Sequence, residues 1–122
     1  MMVPGVTAEA QLMGRKVTVT VDRPMGSCHP EYPSLYYPIN YGYVQGVIAA
    51  DGEAQDAYIL GVSQPVSQFT GRVIALIRRY DDIEDKLVVA PDGVSFTKEA
   101  ILEQTHFQEQ YFQITVEMAE NL

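Results

Sequence analysis

A chain of 122 residues, 47% hydrophobic and 20% charged, can bury one hydrophobic core and is short for two domains. Sixteen acidic against eight basic residues give a net charge of −8, which disfavours nucleic acid as a partner unless a basic face is segregated, and the sequence segregates none. A single cysteine, Cys28, excludes an internal disulfide and a multi-cysteine zinc site, and two histidines leave little for an imidazole-based one.

The N-terminus lacks the basic-then-apolar pattern of a secretory leader, and no stretch approaches the roughly 18 consecutive apolar residues of a spanning helix. A cytoplasmic protein with no membrane partner is therefore expected. Residues 1–13 show no period and read as a loose arm or a short edge element. From Lys16 the run KVTVTVDR alternates, with Val17, Val19 and Val21 on one face, and predicts a half-buried strand. The segment PMGSCHPEYPSLYYP carries four prolines among aromatics and predicts an ordered loop. Tyr43–Ala50 and Ala57–Val62 read as two strands of a hairpin, RVIALIRRY from Arg72 as a strand buried on both faces at its middle, and KLVVAP as another. Thr97 suits a helix N-cap, Glu99 the first turn, and Ala100, Ile101, Phe107 and Tyr111 recur at helical spacing. Gln113–Met118 alternates as a last short strand. The fold class expected is mainly β, an α+β domain with one C-terminal amphipathic helix covering the sheet.

Two acidic turns stand out. DGEAQD places Asp51, Glu53 and Asp56 between two β-branched runs, with Gly52 permitting the turn. DDIEDK places Asp82, Glu84 and Asp85 just ahead of Lys86. Each alone reads as a solvated turn, since Asp and Gly are ordinary turn residues, and the spacing of a calcium-binding helix-loop-helix site is absent. Meeting across a cleft, the two clusters could hold two or more Mg²⁺ ions, which clamp a phosphoryl group and acidify a bridging water. Lys86 and Arg23 would then meet phosphate oxygens. Most of the eight tyrosines read as core or rim packing. Ser27, Cys28 and His29 are neighbours in sequence, which does not make a catalytic dyad.

The residues YPINYGYV followed by DGEAQD resemble the soluble, Mg²⁺-dependent inorganic pyrophosphatases with an OB-like β-barrel, and in particular a short bacterial pyrophosphatase-like branch. The resemblance runs from about Asp22 to Tyr111 and is most specific between Tyr37 and Ala57. It implies a small OB-like barrel, Mg²⁺ with Mn²⁺ as a substitute, pyrophosphate or a related phosphoanhydride as substrate, and a homo-oligomer among the assemblies to expect. It also implies that Asp51 and Asp56 coordinate metal, that Glu53 stands where an aspartate orients the attacking water, and that Arg23 binds phosphate. Tyr41 would line the site, Lys86 and Tyr111 would contact phosphate, and Asp82, Glu84 and Asp85 are the candidates for the second metal-binding segment.

The departures carry expectations of their own. Glu53 is one methylene longer than Asp, Gln55 replaces an apolar residue, Phe112 follows Tyr111 where a lysine is usual, and the family's N-terminal glutamate and lysine have no convincing match in residues 1–16. Fewer phosphate ligands predict slow hydrolysis of pyrophosphate. The alternative is a non-catalytic or altered-substrate phosphate- or nucleotide-binding domain.

Overall fold

The computed structural model describes residues 8–119. Six strands and a 12-residue helix account for most of them: β1 (Lys16–Arg23), β2 (Asn40–Ile48), β3 (Ala54–Ile59), β4 (Gln68–Arg79), β5 (Lys86–Ala90), α2 (Lys98–Glu109) and β6 (Ile114–Met118), preceded by a helical turn, α1 (Ala8–Gln11). The sheet runs β1-β2-β3-β5-β4-β6, and β1 pairs again with β4, so five strands close into a barrel and β6 extends it from β4. Every pairing is antiparallel except β3 with β5.

Closure depends on the start of β4. Lys16 faces Arg72 and Thr20 faces Gln68 across β1 and β4, so the strand begins four residues before the apolar run that signals it. Gly42 lets β2 approach β1 closely: a Cβ there would lie 1.9 Å from the Thr20 carbonyl oxygen. The expected β3 begins earlier, at Ala54, because the buried Gln55 amide donates to the carbonyls of Asp56 and Asp85 and pins this part of the turn into the sheet. The strand stops at Ile59, ahead of Gly61 with φ +82°.

Alternation along the strands separates two apolar layers. Val19, Val44, Ala57, Ile59, Val73, Leu76, Leu87 and Val89 fill the barrel. Tyr41, Tyr58, Leu60, Ile77, Val88, Ala90 and Val116 face outward, where Ile101 of α2 and Phe107 pack on them. Thr97 caps α2 by accepting a hydrogen bond from the Ala100 amide. The helix ends at Glu109, so Tyr111, which its spacing placed on the helix, lies beyond the Gln110 cap and is 69% exposed.

Of the expected loose arm over residues 1–13, residues 1–7 lie outside the described part. Ala10, Leu12 and Met13 pack against the inner layer, and the Gly14 amide donates to the Val73 carbonyl at 2.8 Å. Among the described residues no helix is long and apolar enough to cross a membrane.

Candidate active site

Beyond the end of α2, the outward faces of the same strands turn polar. Asp56 stands one alternation from Tyr58 on β3, Lys86 one from Val88 on β5, Arg79 one from Ile77 on β4, and Arg23 is registered against Tyr41. The strands that build the core thus carry the site. These four polar residues line a cavity of about 570 Å³ together with Asp22, Tyr37, Tyr41, Glu84, Tyr111 and Phe112. Its outer wall comes from the loop between β1 and β2, through His29, Tyr32 and Leu35. That loop is ordered by its own hydrogen bonds, among them His29 amide to Leu35 carbonyl and Tyr37 amide to Ser27 carbonyl, both 2.9 Å.

Lys86 is the centre of charge. Its ammonium lies 2.7 Å from Asp56 Oδ2 and 3.3 Å from Glu84 Oε2, with its side chain only 3% exposed. Tyr41 donates its hydroxyl to the same Asp56 oxygen at 2.9 Å. Burial, reinforced by the Asp56 charge, pushes the Tyr41 hydroxyl well above its ordinary pKa, so it remains a neutral donor. Burial also raises Glu84, against the pull of Lys86. Asp51 is lowered, first by the Glu53 amide that donates to it at 2.9 Å. Asp22 is raised by burial, which Arg23 opposes.

Arg23 carries the most direct sign of an anionic occupant. Its Nε is buried and has no hydrogen-bond partner among the described residues. A guanidinium N–H sealed from water in this way costs free energy until an acceptor is present.

The structure brings Arg23, Tyr41, Asp56, Glu84, Lys86 and Tyr111, all singled out from sequence, to one cavity. Asp51 is not among the residues that line it. Three other sequence candidates are placed off the cavity wall. The Glu53 side chain is exposed at the hairpin tip. Asp82 accepts from the Ile83 and Glu84 amides and from Arg79, and the Asp85 carboxylate accepts from the Arg79 amide and pairs with Arg78. Sequence reasoning missed Arg79, which sits in the apolar-ended run RVIALIRRY, and Glu109, which the helical periodicity assigned to no role. For Arg79 the available signal was a charge in phase with Ile77 at the end of a strand buried on both faces.

Among the described residues no three Asp, Glu, His or Cys side chains are gathered to hold a metal ion by themselves. Asp56 and Glu84 supply two hard carboxylates from opposite turns. Magnesium ordinarily binds through one or two carboxylates plus water and substrate phosphate, so the donor chemistry fits.

No protein-family model matches the chain. An inorganic pyrophosphatase of Gluconobacter oxydans is 28% identical over 120 residues, covering 80% of this chain and 68% of that protein. An inorganic pyrophosphatase from Ehrlichia chaffeensis superposes with a TM-score of 0.68 at 19% identity, over 94% of this chain and 92% of the other. One from Thermus thermophilus gives 0.66 at 18% identity, over 98% and 88%.

Proposed function

We propose that this chain, which has the fold of the bacterial inorganic pyrophosphatases and is similar in sequence to one of them, hydrolyses inorganic pyrophosphate to two phosphates with a divalent metal ion, magnesium by donor chemistry. The observation that carries the reading is the gathering of two cations, Arg23 and Lys86, with two carboxylates, Asp56 and Glu84, on one cavity. Likeness to enzymes in both sequence and fold favours turnover over a non-catalytic binding domain.

In this reading Asp56 and Glu84 hold the ion. Bound there, the ion would neutralise phosphate charge and acidify a water molecule. The chain's own groups do the remaining work. The Arg23 guanidinium donates to a phosphate oxygen. Lys86 has three N–H donors, two of them directed at Asp56 and Glu84, which leaves one for substrate. Tyr41 holds Asp56 in place, and Tyr111 closes the rim. Asp56 accepts the proton of the attacking water from its place on the cavity wall. Glu53, assigned to the water by resemblance, is exposed at the hairpin tip and is compared with Asp56 by substitution. Catalysis is chiefly electrostatic, the cations stabilising charge on the leaving phosphate.

The test is phosphate release from pyrophosphate, tripolyphosphate and a phosphate monoester, with magnesium, manganese or a chelator. Metal-dependent release from pyrophosphate, with little from the monoester, is the expected result. Release that survives chelation, or a preference for the monoester, would overturn the reading.

A further inference from the structure

At the cavity wall, through Arg79, lies an ion pair that the proposed chemistry does not use. The Arg79 side chain is 4% exposed and that of Glu109 1%. Arg79 Nε donates to Glu109 Oε1 at 2.9 Å and Nη2 to Oε2 at 2.6 Å, a two-pronged pairing. The remaining nitrogen, Nη1, donates to Asp82 Oδ2 at 3.1 Å. The guanidinium carbon also sits 3.7 Å from the ring centroid of Phe112. Phe112, where the resemblance leads one to expect lysine, offers a flat face for that stacking.

Glu109 is tied into the helix-barrel junction as well. Tyr58 donates its hydroxyl to Glu109 Oε2 at 2.5 Å, Gln108 donates to Tyr58 at 2.7 Å, and Tyr37 donates to Gln108 at 2.9 Å. Burial alone would make Arg79 a weaker base, but Glu109 more than offsets it and the guanidinium stays charged.

A buried pair of this kind is a poor source of stability, because desolvating each ion offsets much of their attraction and a packed apolar pair serves as well. Its distinctive property is geometric. One planar group contacts the end of α2 through Glu109, the segment after it through Phe112, and the second acidic turn through Asp82. Two of these carry residues that line the cavity, Tyr111 and Phe112 in the segment after α2 and Glu84 in the acidic turn.

We propose that Arg79 and Glu109 are positioning residues, a buried clamp that fixes the separation between the Tyr111–Phe112 wall and the acidic turn over residues 81–85. The kinetic consequence rests on the hydrolysis proposed above; the structural one does not. A misplacement of about 1 Å in a reacting site costs on the order of 100-fold in rate, which sets the scale of the effect.

The test is the double replacement Arg79→Met with Glu109→Leu, which leaves no buried ion unpaired and is expected to stay folded, with a modestly lower thermal midpoint because the Tyr58 hydroxyl loses its acceptor. Amide hydrogen exchange, read without substrate or metal, should speed up roughly 10-fold or more in both 81–85 and 110–113. The kcat for pyrophosphate should fall about 100-fold in this folded variant while the wild type turns over normally. Arg79→Lys is the second variant, which keeps the charge but not the fork; it should show a partial loss in both readouts. Unchanged exchange in the 81–85 segment, in either variant, would overturn the clamp, and so would full turnover by the folded double variant. A wild type without pyrophosphate turnover would instead sink the proposed function, and the exchange measurement would still decide the clamp.

Discussion

Lys86 Nζ lies 2.7 Å from Asp56 Oδ2, and through that contact one ammonium joins the hairpin acid of β3 to Glu84 of the following acidic turn. The pairing is close to solvent on the acid side, since the Asp56 carboxylate is 27% exposed and that of Glu84 34%. Lys86→Met should therefore cost about 1–3 kcal/mol rather than the larger loss of a fully sealed pair. It leaves two carboxylates facing each other, so pyrophosphate turnover should fall at least about 100-fold, the scale of losing one charge-stabilising donor. Denaturant unfolding together with steady-state phosphate release checks both numbers.

Tyr41→Phe keeps the ring in its stack against Tyr37 and Tyr58 and removes only the hydroxyl that donates to Asp56. A single neutral-to-charged hydrogen bond of this kind contributes roughly 1.5–3 kcal/mol when its partner is left unsatisfied, and less where water can replace it. The expected outcome is a stability loss near about 1 kcal/mol. With Asp56 less firmly held, kcat should drop with little change in KM. A rise in KM alone would place the hydroxyl on the substrate instead.

Gly42→Ala tests the barrel rather than the site. The added Cβ would press on the Thr20 carbonyl, a backbone atom with no side-chain freedom to yield. The loss should reach about 3 kcal/mol or more, at the upper end for overpacking, because β1 must move away from β2. Arg23 and Tyr41 are registered across the same strand pair, so turnover should fall with stability. A thermal midpoint within a degree or two of wild type would contradict this packing.

Acid sensitivity has a readable contributor in Asp92. Arg72 Nε donates to its carboxylate at 3.0 Å, and that bond with the Arg72 charge lowers the Asp92 pKa from the ordinary value of 3.8. A lowered carboxyl contributes stability that is fully present above its unfolded pKa and is lost as pH falls through the folded one. Asp92→Asn should thus lose a constant increment above about pH 5, and the difference from wild type should shrink toward zero as the medium is acidified below that ordinary value and through the lowered one. Chemical denaturation as a function of pH measures it, and high salt should diminish the effect because the pair is exposed.

Much of this architecture was legible in the chain. Alternation in KVTVTVDR located β1 with its bounds, and the apolar runs located β4 and β5, because strands buried on one or both faces must carry those patterns. The start of β4 was not legible: Gln68 to Gly71 have no apolar period and are held in the sheet by pairing with β1, a contact remote in sequence. The same distance hid the site's second half. Local turn chemistry identified Asp56 and Lys86, and the barrel then brought them together. Arg79 and Glu109 escaped notice because a charge reads as surface until a tertiary partner is known, and theirs lie on different elements. Glu53 illustrates the converse, since its place in an acidic motif suggested a role while the turn geometry leaves its side chain exposed.

Whether the Asp56 cavity performs the hydrolysis is decided by single-turnover phosphate release from pyrophosphate by wild type, Asp56→Asn and Glu53→Gln at matched magnesium. The prediction is a metal-dependent burst in wild type, reduced at least about 100-fold in Asp56→Asn, the scale of removing a positioned acid-base group, with a smaller loss in Glu53→Gln. Phosphate release that is equal in wild type and Asp56→Asn would contradict the assignment of the reaction to this cavity.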